Sequence, residues 1–174
     1  MLLVAALLSP VSVASAEVGL GVAVCGARGA VTCDAAEPGL ALDVRVHWHP
    51  RRWLGLGLTG LYAGLPARRT ETGNLTFVGP EVALRAAPTS TLGLIAAGSL
   101  GWDRVAGTGG RQTGLGAVGL RLGARSRVGR RLELGVDYGL LRPVLDEACA
   151  GSTCGPVDVA LLHRFSLVVG VPFW

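Results

Sequence analysis

The sequence predicts an all-β fold: a single antiparallel up-and-down transmembrane β-barrel of about eight strands. Three observations predict it. Apolar and polar or small residues alternate in segment after segment, long connections alternate with short ones, and most aromatics fall near strand ends. Composition agrees. Half of the 174 residues are hydrophobic and only 16% are charged, yet beyond the first segment the apolar residues are scattered in alternation. No later run reaches the ~18 apolar residues of a membrane helix. The 27 glycines also disfavour helix. So apolar a chain, without membrane helices, reads as a barrel that turns its apolar face to lipid.

Residues 1–16 read as a secretory signal peptide. Leu2 to Leu8 form the apolar core, Pro10 breaks it, and Ala14-Ser15-Ala16 supply small residues at a cleavage position. A basic n-region is missing. Residues 17–174 are then the barrel.

The strands follow in order. Val18, Leu20, Val22 and Val24 share one side of the first, with Glu17, Gly19, Gly21 and Ala23 on the other. In the second, Leu40, Leu42, Val44, Val46 and Trp48 oppose Ala41, Asp43, Arg45 and His47. Strict alternation over that length is a strand between two different solvents. The turn at 49–52 leads to the third, with Leu54, Leu56, Leu58 and Tyr62 against Gly55, Gly57 and Thr59. The fourth, 75–86, sets Val82, Leu84 and Ala86 against Glu81, Ala83 and Arg85; Pro80 inside it suggests a bulge or register change. The fifth carries Leu92, Leu94, Ala96, Leu100 and Trp102. The sixth alternates Val118, Leu120, Leu122 and Ala124 with Gly119, Arg121, Gly123 and Arg125. The seventh alternates Leu132, Leu134, Val136, Tyr138 and Leu140 with Glu133, Gly135, Asp137 and Gly139. The last sets Phe165, Leu167, Val169, Val171 and Phe173 against Asp158, Leu162, Arg164 and Ser166.

Residues 25–38, 64–74, 103–111 and 142–156 are the long connections, and those between them are tight. Transmembrane barrels combine long external loops with short periplasmic turns. Trp48, Trp53, Phe173 and Trp174 lie toward the short-turn side. Tyr62, Phe77, Trp102 and Tyr138 lie toward the long-loop side. Two such belts suit the two water interfaces of a bilayer. A soluble sandwich or lipocalin-like barrel would instead turn the large apolar set inward.

The C-terminal run Phe165-Ser-Leu-Val-Val-Gly-Val-Pro-Phe173-Trp174 resembles the last strand of bacterial outer-membrane proteins. The mature chain resembles, in pattern, size and ending, the small eight-stranded barrels of the outer-membrane protein A, X and W type. That resemblance implies a place in the bacterial outer membrane, contact with its lipid, and recognition of the ending by the barrel-assembly machinery. Trp174 lies one position out of the alternation, which leaves open which aromatic serves.

Glu17, Asp43, Glu81, Glu133, Asp137 and Asp158 share the inward face with Arg45, Arg85, Arg121, Arg125 and Arg164. Opposite charges in a lumen only wide enough for side chains are expected to pair and plug it. A narrow passive channel through that network is the alternative. Asp43, Arg45 and His47 form a candidate pH-sensitive group. Some barrels of the resembled class modify lipid A with a nucleophile and a histidine. Here His47 and His49 lie by a short turn, His163 has lipid-facing parity, and Ser152 and Thr153 have no histidine nearby. No catalytic, metal or cofactor motif is expected. Cys25/Cys33 and Cys149/Cys154 read as two local disulfides of an exported protein. The loops are a candidate surface for an extracellular ligand. All 16 basic residues are Arg, dispersed rather than blocked, which excludes nucleic acid as the expected partner.

Overall fold

The computed structural model describes residues 13–25, 38–66, 72–87, 89, 91–107, 110–113, 116–129, 131–144, 147–150, 153–156 and 161–173. Residues 1–12, Cys33, Asp158 and Trp174 lie outside these, so the leader core and those three positions have no structural account. The strands are β1 (Val13–Cys25), β2 (Gly39–Arg51), β3 (Leu54–Pro66), β4 (Thr72–Ala86), β5 (Leu92–Gly107), β6 (Gly110–Thr113), β7 (Ala117–Val128), β8 (Leu132–Pro143), β9 (Glu147–Ala150), β10 (Thr153–Pro156) and β11 (Leu162–Phe173). Each wall strand pairs antiparallel with its neighbours in the order β1-β2-β3-β4-β5-β7-β8-β11, and β11 returns to β1. The result is a closed eight-stranded antiparallel barrel, whose wall strands all have a partner on each side.

The alternation read from sequence becomes inside against outside. In β2, Asp43 and Arg45 are fully buried while Leu40 is 72% exposed. A barrel built for water would reverse that. The outer wall is a continuous band of large apolar side chains, among them Leu20, Leu58, Leu100, Leu120, Leu122 and Leu167. So wide an apolar band is stable only against lipid hydrocarbon.

The structure differs from the sequence reading at several places. Pro80 makes no register change. β4 and β5 keep one register from Phe77↔Asp103 through Arg85↔Ile95 and simply leave Gly79 and Pro80 unpaired. The proline ring has no N–H to give the ladder, and a Cβ on Gly79 would come within 2.6 Å of the Gly101 Cα. The actual irregularity lies between β2 and β3, from Trp48 to Arg51, where Pro50 sits. Residues 103–107 are not loop. β5 continues and folds back on β6, with Gly107 opposite Gly110 at the tip, so glycines that read as loop build a hairpin instead. The last long connection likewise contains a hairpin, β9–β10.

β1 begins at Val13, and Ala14, Ser15 and Ala16 pair with both β2 and β11. The residues assigned to the end of the leader are thus strand-forming in the folded chain. The β7–β8 turn is closed by Gly129 at φ 70°, a conformation that a side chain resists.

Candidate functional site

The lumen is where the strands bring distant charges together. Parity aims Glu17 of β1, Asp43 and Arg45 of β2, Glu81 of β4, Arg121 and Arg125 of β7, Asp137 of β8 and Arg164 of β11 at the axis, and all are buried. Asp137 is the hub. Arg125 grips it with two hydrogen bonds, of 2.6 and 3.0 Å, and Arg121 donates another of 3.2 Å. Arg45 forms an ion pair with it at 2.8 Å. Glu17 accepts from Arg125 at 2.8 Å and from Arg45 at 3.1 Å. Glu81 accepts from Arg121 at 2.6 Å and contacts the His47 ring at 2.8 Å. Asp43 is paired with Arg45, lies 3.5 Å from Arg164 and accepts from the Ser166 hydroxyl at 3.0 Å. Four guanidiniums therefore meet four carboxylates at the centre. Charges removed from water this completely persist only when so paired.

Above this layer, toward the long connections, lies an apolar one. Leu61, Leu75, Phe77, Leu141 and Leu162 form a buried cluster with Ala23, Ala41, Ala63 and Ala117. Asp103 is buried at the same end, and neither of its carboxylate oxygens has a hydrogen-bond partner among the described residues. Beside Arg121 the residual space is about 20 Å³, room for one water. Below the central layer, Arg85 holds both oxygens of Glu133 at 2.7 Å, and Arg127 lies 3.7 Å from it.

Every predicted lumen charge that the structure describes is thus inside the barrel. Trp48, Trp53, Tyr62, Trp102 and Phe173 are exposed on the outer wall. Tyr138 also faces out, stacking near Phe165 at 4.9 Å and bonding the His163 ring nitrogen at 2.8 Å. Phe77 is the correction: it is 2% exposed, inside the lumen. Its height on the strand suits a belt, but its parity is that of Glu81 and Arg85, and parity decides the face. Parity would also have found the missed Leu61 and Leu141. His47 belongs to the network through Glu81 rather than through Asp43 or Arg45. Cys149 and Cys154 are opposite one another across the β9–β10 hairpin, and Cys25 ends β1.

No protein-family model matches the chain, and no curated protein matches it in sequence. Solved structures do match it in shape. Neisserial surface protein A superposes with a TM-score of 0.66 at 12% identity, covering 91% of this chain and 95% of that one. Ail, the attachment invasion locus protein of Yersinia pestis, gives 0.60 at 8% identity, covering 93% and 99%. The N-terminal β-barrel domain of Pseudomonas aeruginosa OprF gives 0.55 at 12% identity, covering 95% and 100%. The fold is that of small bacterial outer-membrane barrels. At these identities the likeness concerns the fold alone, and the lumen and its two mouths are what remain to be read for function.

Proposed function

We propose that this barrel is a closed, non-enzymatic outer-membrane protein whose role is structural or lies in contacts made by its long-connection end. One observation carries the reading: the lumen is filled in two layers. The paired guanidiniums and carboxylates around Asp137 occupy the centre, and the Phe77 cluster stacks on them. An ion crossing would have to break several buried ion pairs and then pass an apolar layer. A leader ending near Ala16, the barrel-assembly machinery acting on the C-terminal strand, and an extracellular ligand held by the loops all fit this reading.

Planar-bilayer recording on the refolded protein tests it. The expected result is a flat baseline on insertion. Steady single-channel steps would overturn it in favour of a small passive channel. A lipid-modifying activity would have a geometric foothold in the Ser15 hydroxyl, 2.9 Å from the His49 ring at the short-turn end. Ser15 falls within the leader reading, so a mature chain cleaved after Ala16 would lack it.

A further inference from the structure

The lipid-facing wall is not uniformly bulky. On the outer face of β5, Ala96 and Gly98 hold successive outward positions where the neighbouring strands carry large side chains. The register sets Ala96 between Leu84 and Leu122, and Gly98 between Val82 and Leu120. The small residues are therefore the floor of a groove, with β4 and β7 as its banks. Its volume is about 510 Å³. That lies within the range of small-ligand pockets, roughly 300–1,000 Å³. The space over Gly98 is open, since a Cβ built there would meet nothing within 4 Å. Tyr138 and Leu140 of β8 continue the lining beyond β7.

Polar groups stand at the upper end of the groove. Leu140 pairs with His163, the second residue of β11, at the long-connection end of the barrel. The His163 Nδ1 is bonded to the Tyr138 hydroxyl at 2.8 Å. Its Nε2 makes no hydrogen bond among the described residues. A ring nitrogen left unmet against hydrocarbon is costly, so its place on the outer face favours a polar neighbour. Arg142 is the next outward residue above Leu140, one before β8 ends at Pro143, and it is exposed. Such a side chain lays its stem along the wall and lifts its charge into the headgroup layer. An apolar groove in the wall thus leads up to a guanidinium and an imidazole at the water interface.

The groove is continuous with the lipid-facing band, and that decides its occupant. Inside a bilayer the hydrophobic effect gives no preference, because lipid tails are as apolar as leucine. A groove still gains dispersion contact, touching a chain along the floor and both banks instead of on one side. A phosphate above it would supply acceptors for Arg142 and His163. We propose that this groove seats one acyl chain of a phosphate-bearing lipid from the leaflet on the long-connection side, with the phosphate against Arg142 and His163.

Native mass spectrometry of the refolded barrel, released from a non-ionic detergent containing dimyristoylphosphatidic acid, tests this. One lipid should stay bound at low lipid concentration. Dimyristoylglycerol, with the same chains and no phosphate, should be held about tenfold less, the loss of roughly one charge-assisted hydrogen bond. Arg142→Gln should weaken retention of the phosphatidic acid by a similar factor, and Gly98→Leu, which fills the groove, by about fivefold through lost chain contact. Gly60→Leu makes the same change on the outer face of β3, away from the groove, and should leave retention unchanged. No retained lipid, or an equal loss in Gly60→Leu, would overturn the site. Equal retention of the two lipids would overturn the phosphate contact. A dimer that Gly98→Leu abolishes would overturn the proposal in favour of a second copy of the chain. A boiling-dependent gel shift in each variant confirms that the barrel has folded.

Discussion

Replacing Asp137 by asparagine keeps the shape of the central side chain and removes its charge. Arg45, Arg121 and Arg125 all contact this carboxylate, at 2.8, 3.2 and 2.6 Å. After the change four guanidiniums share three carboxylates, and Arg45 and Arg125 cannot turn to water, since they are at most 1% exposed. An uncompensated buried charge of this kind costs about 3–5 kcal/mol. Among the described acids Arg125 contacts Asp137 and Glu17, and Glu17 keeps Arg45 at 3.1 Å. The double variant Asp137→Asn/Arg125→Met therefore restores the balance at the centre and should recover most of the loss. The assay is urea unfolding from lipid vesicles, followed by the fluorescence of the four tryptophans. A loss below about 1 kcal/mol in the single variant, or losses that simply add in the double one, would refute the reasoning, because additive losses mean that the two sites do not interact.

The remaining expectations concern the wall and the loops. Val44→Arg places a charge on the outer face of β2, where Val44 is 47% exposed, and should cost about 2–4 kcal/mol in a bilayer. Gly119→Ala, on the inner face, requires only that the Ser99 hydroxyl rotate away, and should cost far less; equal costs in vesicle refolding would reverse the assigned faces. Phe77→Ala empties the apolar layer and should cost about 3–5 kcal/mol by the same unfolding assay; a loss below about 1 kcal/mol would refute its place in the packed lumen. We also propose the Cys149–Cys154 bridge. Directly opposed residues of an antiparallel pair have Cα atoms about 4.5–5.5 Å apart, inside the disulfide range. Mass spectrometry of exported protein after thiol alkylation should find both residues unlabelled until a reductant is added, and labelling without reductant would refute it.

Much of this architecture is local and was therefore legible. A strand of Leu40, Leu42, Val44, Val46 and Trp48 against Asp43, Arg45 and His47 states its two environments within nine residues, because side chains alternate with period two. Eight such segments separated by turns leave few topologies, and antiparallel closure is the simplest. The same rule, applied without exception, would have placed Phe77 inside. Its height on the strand is that of a belt residue, but its parity turns it to the lumen.

The sequence by itself determined the eight wall strands, most of their faces, the barrel they form and the charges turned inward that the structure describes. Only the tertiary structure decided which charges meet. Arg125 reaches Glu17 across 108 residues, and Ser166 reaches Asp43 across 123, because β11 closes on β1 in one particular register. That register sets the height of every inward side chain around the ring. It stacks the apolar cluster above the ion pairs and sets the Arg85–Glu133 pair below them. Alternation along one strand carries no information about height relative to the strand opposite, so the division of the lumen into an apolar layer and a charge network had to wait for closure.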